Sequence, residues 1–267
     1  TFVAQPSDKG QEFLRVEAVV SGGEKRFSSE TVPAHGECRA DWLAEFADME
    51  RGAQAWLDQV VGHLETPMLP DTPLRMAAEG SALADLFNTV QLAASGAQLS
   101  VTSLANDAAG LPQTVRRRDI LNAYPYTNTL TVLEITGAVL RRAMERSAEY
   151  FSRGEDGRLC VSDVFLRPKV EHYNYDYYAG VSYVYDISRP VGERVTSMRV
   201  NGQDVREEDT FTICLNNYRA SGTGGYDFYV GCPVVREIGT EMADLILDCF
   251  KEFKGNIPAM QSDFRVI

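Results

Sequence analysis

The chain has 267 residues and a formal net charge of −12, so its surface repels a polyanion. That excludes a nucleic-acid polymer as the natural partner and leaves room for a small phosphorylated molecule at a local site. The 44% apolar content is enough for a core and too high for a disordered chain, and no apolar run reaches the roughly 18 residues of a membrane span.

The chain opens at Thr1 without a leader pattern, as a piece of a longer protein would. Five cysteines, Cys38, Cys160, Cys214, Cys232 and Cys249, show no CxxC or zinc-ligand spacing. They read mostly as small buried hydrophobes. His35, His63 and His172 are scattered, which gives no metal site in this chain.

Residues 13–20, FLRVEAVV, read as a strand, and SGGEKRF turns the chain into a second one. Trp42, Leu43, Phe46, Met49, Trp56, Leu57, Val60, Val61 and Leu64 recur at helical spacing, predicting a helix over 40–64 or two broken near Gly52. Pro67, Pro70 and Pro73 read as a stiff linker. Before Pro67 the chain reads as an arm and after Pro73 as a domain. The organisation expected is therefore a segment over 1–39, a helix and linker over 40–74, and a domain over 75–267.

In that domain a helix is predicted at 81–94, a strand at 98–104, and a short helix from RRRDILNAY up to Pro125. A strand follows at 129–135, then a helix over 138–150 with Thr136 as its N-cap. Strands are expected at 181–187, 193–200 and 210–218, with Asn201-Gly202 as a hairpin turn. A last apolar-faced helix covers 240–254, stopped by Gly255. Helices and strands mix without a regular βαβ alternation, so the fold class expected is α+β, a mixed sheet with packed helices.

The stretch NNYRASGTGGYDFY, 216–229, holds the densest glycines in this domain. No Lys follows them, so it is not a phosphate loop, and Asp227 breaks the dinucleotide spacing. Two readings remain: a tight turn, and a loop that brings Tyr226 flat against a base. The segment YPYTNTL, 124–130, offers Tyr126 in the same two ways, as a buried ring or as a second wall.

Read together, RRDILNAYPYTNTLTVLEITGAVLRRAMERSAEYF, YNYDYYAGVSYVYDISRPVGERV and NNYRASGTGGYDF resemble the C-terminal domain of the 5′-nucleotidase family. The likeness is greatest to its bacterial 2′,3′-cyclic-nucleotide 2′-phosphodiesterase/3′-nucleotidase branch. The resemblance implies a nucleotide-recognition domain that holds a base between Tyr126 and Tyr226. Gly222, Gly224 and Gly225 would shape the loop, with Asn106 and Arg219 as further contacts. Arg219 has a second reading, as a buried partner of an acidic residue that pins the loop.

The same resemblance places hydrolysis and two divalent metal ions in an N-terminal metallophosphoesterase domain ahead of this chain, and the parent protein outside the cytoplasm (extracellular, cell-wall or periplasmic). It makes residues 1–39 a tail segment leaving that domain and the helix and linker over 40–74 an interdomain bridge. The isolated chain would then bind nucleosides and hydrolyse nothing. SLANDAAGLP, 103–112, lacks the Asn-Gly-Gly-x-Arg stretch of many 5′-nucleotidases. Other readings are a binding or adhesion module that kept the fold, and a hydrolase of nucleotide-sugar diphosphates.

Overall fold

Antiparallel pairing of two strands opens the chain: β1 (Glu12–Ser21) and β2 (Glu24–Pro33) face each other in register from Glu12↔Pro33 to Ser21↔Glu24. Gly22 and Gly23 close the hairpin with φ of 58° and 84°, which a glycine adopts without a Cβ clash. The computed structural model describes residues 2–7, 10–253, 257 and 261–267. It divides into two units, Thr1–Gln54 and Ala55–Ile267. The first holds the hairpin and most of helix α1 (Ala40–Leu57).

Helix α1 stops at Leu57, seven residues before the end that the periodicity predicts, because Val60–His63 forms strand β3. Two-residue and helical spacing are indistinguishable over so short an apolar run. Strand β3 pairs with a strand of the second unit's interior, described below, and Leu64 is buried. The segment read as a Pro-rich linker is likewise part of the second unit. Thr72 accepts a hydrogen bond from Arg75 N at 3.3 Å and Pro73 takes the first position of helix α2 (Pro73–Glu79). A proline there is preset for a helix start.

Helix α3 (Ala82–Ser95) follows, then β4 (Leu99–Thr102), β5 (Thr114–Arg116), α4 (Arg117–Ala123), β6 (Leu130–Thr136) and α5 (Gly137–Ala148). Strand β5 is the partner of β3, His63 facing Thr114. Thr136 caps α5 as its sequence predicts, accepting from Val139 N at 3.3 Å. Short strands β7 (Phe151–Arg153) and β8 (Leu159–Val161) pair, and β9 (Tyr177–Ala179) and β10 (Ser182–Tyr185) come next. Then β11 (Val195–Val200) turns through Asn201 and Gly202, with φ of 52° and 76°, into β12 (Gln203–Asp204). Strand β13 (Thr210–Asn216), a one-turn helix α6 (Asn217–Ala220), β14 (Val234–Ile238), α7 (Met242–Phe253) and β15 (Phe264–Val266) complete the described chain. Gly255, the expected stop of the last helix, lies outside the described residues.

The main sheet has the order β14-β6-β13-β4-β9, with β13 and β4 parallel and the other neighbours antiparallel. A second sheet, β12-β11-β10-β15, is antiparallel except for β10 and β15. Helix α3 lies against β4, β9, β13 and α7, while α5 touches β6 and β11 and so links the two sheets. The expected α+β class is therefore what the chain adopts. Strands β5, β7, β8, β9, β14 and β15 and helices α2 and α6 escape the sequence reading, most of them being too short to show a period.

Among the described residues no helix is long and apolar enough to cross a membrane. The cysteines only partly follow expectation: Cys214 and Cys249 are buried, Cys160 and Cys232 half-buried, and Cys38 exposed. Burial pushes the Cys214 and Cys249 thiols up to about 11.

Gly137 opens α5 against the segment that follows β12. A Cβ there would collide with Arg206 O and come within 2.8 Å of Val205 Cγ1. Gly137→Ala is expected to cost about 1–3 kcal/mol and lower the melting temperature by several degrees. A thermal melt unchanged from wild type contradicts this packing.

Candidate functional site

Strand register decides which loops meet. Asn216 at the end of β13 faces Leu130 at the start of β6, and Asn217 N donates to Thr129 O at 2.9 Å. The loop entering β6 and the turn leaving β13 thus share one end of the sheet. Strand β4, parallel to β13, delivers Ser103 to that same end. Strand β9, antiparallel to β4 with Tyr177 opposite Thr102, brings residues 169–176 there too.

A cavity of about 270 Å³ lies at this convergence, lined by Ser103, Tyr124, Tyr126, Asn128, Lys169, Tyr173, Asn216 and Tyr218. Tyr126 and Tyr218 are 41% and 40% exposed, so each has ring surface open to a ligand. Tyr124 is buried beneath them. Its ring meets Tyr126 edge-on at 6.2 Å and Phe87 edge-on at 5.2 Å. Asn128 Nδ2 donates to the Tyr124 hydroxyl at 3.4 Å. Burial raises the Tyr124, Tyr126 and Tyr173 phenols above their ordinary range, with Asp107, Tyr173 and Tyr218 adding to the rise at Tyr126. The rings are therefore neutral at physiological pH and suited to stacking. Among the described residues Lys169 is the only charged one in the lining, its Nζ 3.4 Å from the Tyr173 hydroxyl and 5.3 Å from that ring's centroid.

The expected ring Tyr226 is placed otherwise, and this corrects the sequence reading. It is 0% exposed. Its hydroxyl donates to Asn174 O at 3.1 Å and meets Ser147 Oγ at 3.0 Å, while the Arg219 guanidinium lies over its ring at 4.0 Å. No face of it is free for a base. The aromatic that borders the cavity from this loop is Tyr218, on the other side of the glycines.

The glycines make room for protein rather than for ligand. Gly222, Gly224 and Gly225 have φ of 84°, 80° and 87°. A Cβ at Gly224 would strike Asn174 and sit 2.5 Å from Arg219 Nη1; one at Gly225 would sit 2.6 Å from Arg146 Nε. Arg146 in turn donates to Gly224 O at 3.3 Å. Of the two turn readings, the tight turn is what the loop adopts.

Arg219 is buried and takes the second of its two readings. Its Nη2 and Nε reach Asp176 Oδ1 at 2.8 and 3.2 Å, and both side chains are within 3% of full burial. Burial alone pulls the guanidinium down, but the Asp176 carboxylate beside it outweighs this and holds it charged. Asn106 also sits outside the cavity lining. Its Nδ2 donates to Val170 O at 2.8 Å and its Oδ1 accepts from Tyr173 N at 3.3 Å, so it fastens the segment that carries Lys169 and Tyr173.

Tyr218, Tyr173, Lys169 and Asn128 were not singled out from the sequence. One signal was available for Tyr218: Asn216 is a good N-cap, and its Oδ1 accepts from Arg219 N at 2.7 Å, which starts the turn that turns Tyr218 outward. No group of three or more His, Cys, Asp or Glu able to hold a metal occurs among the described residues.

Fold and cavity together define an α+β domain with an aromatic, small-molecule-sized cleft at one end of its main sheet. Residues 60–231 match the model of the 5′-nucleotidase C-terminal domain. The match covers more than half of the sequence, and the chain belongs to that family. A Staphylococcus aureus structure described as a 5′-nucleotidase superposes with a TM-score of 0.84 at 36% identity, over 98% of this chain and 52% of that one. The 2′,3′-cyclic-nucleotide 2′-phosphodiesterase/3′-nucleotidase of Yersinia enterocolitica is 30% identical over 124 residues, 40% of this chain and 19% of the relative. A snake venom 5′-nucleotidase of Gloydius brevicauda is 25% identical over 156 residues, 55% of this chain and 24% of the relative. The aligned part makes up between 11% and 33% of the lengths of the curated relatives.

Tyr226→Phe removes two buried hydrogen bonds and leaves the cavity untouched. It is expected to cost about 1–3 kcal/mol of stability in urea unfolding with ligand affinity unchanged. Lost affinity at unchanged stability would restore a base-facing role to Tyr226.

Proposed function

We propose that this chain is the nucleotide-recognition part of a metal-dependent phosphoesterase acting on nucleoside phosphates, and that it holds the base between Tyr126 and Tyr218. The observation that carries the reading is the cavity lined by these two half-exposed rings. Stacking on an aromatic ring contributes about 1–3 kcal/mol per base and tolerates any base, because every base has a π-face. Asn128, Asn216 and Ser103 offer both donors and acceptors at the cavity wall, and Lys169 offers a positive charge to an anionic group or a base carbonyl.

Bond cleavage belongs, in this reading, to a metallophosphoesterase domain preceding the chain, whose two metal ions would activate the attacking water. In this reading no hydrolytic step is assigned to the residues of this chain. The role of this chain is binding and orientation of the substrate for that domain. The first unit exposes Phe13, Val16, Val19, Phe27, Trp42 and Phe46, apolar surface of the kind a neighbouring domain covers. Placement outside the cytoplasm is supported by the venom enzymes among the relatives.

Tyr126→Ala and Tyr218→Ala are each expected to raise the dissociation constant of the chain for a nucleoside monophosphate about tenfold or more, read by calorimetry. In the full-length protein with manganese, the same changes should raise KM for cyclic, 3′- or 5′-nucleotides. Unchanged affinity in both variants rules out the stacking slot. Turnover of a 2′,3′-cyclic nucleotide by the isolated chain with added divalent metal contradicts the division of labour.

A further inference from the structure

We infer that the buried Arg219–Asp176 pair is a clasp that sets the gap between the Tyr218 and Tyr173 walls of the cavity, making both residues positioning groups for the bound base. The inference rests on the base-binding reading above. Arg219 lies on the turn leaving β13 and Asp176 just before β9, and β4 runs between those two strands. The pair therefore ties together two loops that the sheet itself leaves unconnected at this end.

The ties reach both walls. On one side, Arg219 directly follows Tyr218, and its own N–H is fixed by Asn216 Oδ1 at 2.7 Å. On the other, Arg219 Nη2 donates to Tyr173 O at 3.2 Å. A second route runs through side chains. Arg219 Nη1 donates to Asn174 Oδ1 at 3.4 Å, Asn174 Nδ2 donates to Glu171 Oε2 at 2.9 Å, and Glu171 Oε1 accepts from the Tyr173 hydroxyl at 3.2 Å. Tyr173 is thus held at its carbonyl and at its ring tip by groups that trace back to one guanidinium. The same guanidinium donates to Thr223 O at 2.8 Å and covers the Tyr226 ring, which anchors the glycine loop behind Tyr218.

The planar fork of arginine is what allows these contacts at once. Lysine keeps the charge but carries its three donors on one nitrogen, which cannot span the same set of oxygens. Arg219→Lys should therefore preserve the ion pair while releasing Tyr173 O or Thr223 O. Asp176→Asn should weaken the anchor while keeping its shape. Glu171→Gln acts at the surface end of the side-chain route and spares the buried charges.

The test is calorimetric binding of two probes to the chain, adenosine 5′-monophosphate and ribose 5-phosphate, each variant held well below its own melting temperature. Arg219→Lys and Asp176→Asn are expected to weaken the nucleotide about tenfold, equal to about 1.4 kcal/mol, and to leave the base-less sugar phosphate unchanged. Glu171→Gln, which keeps the fold even where a buried-pair variant loses it, should weaken the nucleotide severalfold with the same selectivity. Wild-type nucleotide affinity in folded Arg219→Lys and in Glu171→Gln overturns the clasp, because a purely structural pair would move only the melting temperature. Tyr126→Ala and Tyr218→Ala in the same assay separate the two ideas. If they bind as wild type, the base slot itself fails. If they lose affinity while the clasp variants do not, the slot stands and the clasp falls.

Discussion

Pairing of Asn216 with Leu130 across β13 and β6 is the constraint on which the cleft depends. Side chains alternate along a strand, so a slip of one residue would send Leu130, Val132 and Cys214 to the wrong face. These residues are 1%, 3% and 0% exposed, and the burial they share makes such a slip costly. With the register set, the loop holding Tyr126 and the turn holding Tyr218 emerge side by side, and the parallel β4 and antiparallel β9 add their own loops at the same end. The cavity is a consequence of strand order.

The polar interior serves this arrangement. Asn88 Nδ2 donates to Tyr177 O, Ser100 Oγ donates to Asn88 Oδ1, and Gln91 Nε2 reaches Ser100 Oγ, so α3 is hydrogen-bonded to the strands it covers. The Arg219–Asp176 pair is of another kind. Two charges taken out of water gain stability only when geometry is good and the remaining hydrogen bonds are made, and removing one partner costs about 3–5 kcal/mol. Arg219 meets that condition with five oxygen contacts on four residues besides its stacking on Tyr226. Asp176 Oδ2 has no hydrogen-bond partner among the described residues and is the unsatisfied end of the pair. Apolar residues of equal volume could fill this space; they could not hold two loops by their carbonyls.

Long periodic segments were legible in the sequence. Helices α3, α5 and α7 and strands β6, β11 and β13 follow from apolar spacing and from caps such as Thr136, because local physics and the tertiary environment agree there. Val60–His63 was not, since four residues fit a helix as well as a strand until β5 is beside them. In the site, Tyr126 lies on the cavity and its sequence neighbourhood pointed to it. Tyr226 did not follow, and the reason is specific. Glycine density signals close approach of something to the backbone, and sequence does not say whether that is a ligand or the protein's own Asn174, Arg219 and Arg146.

The sequence alone therefore determined the α+β class, the likeness to the family whose model residues 60–231 match, and the two aromatic loops that border the cavity. The class follows from periodicity and turn chemistry, and the family from the likeness of three separated motifs, all of which are local in the chain. Tertiary structure decided which tyrosine of the second loop faces the cavity, that Arg219 is buried against Asp176, and that Lys169 and Tyr173 join the lining. Those outcomes depend on which strand ends the sheet brings together, and that order arises from pairing between residues far apart in the chain.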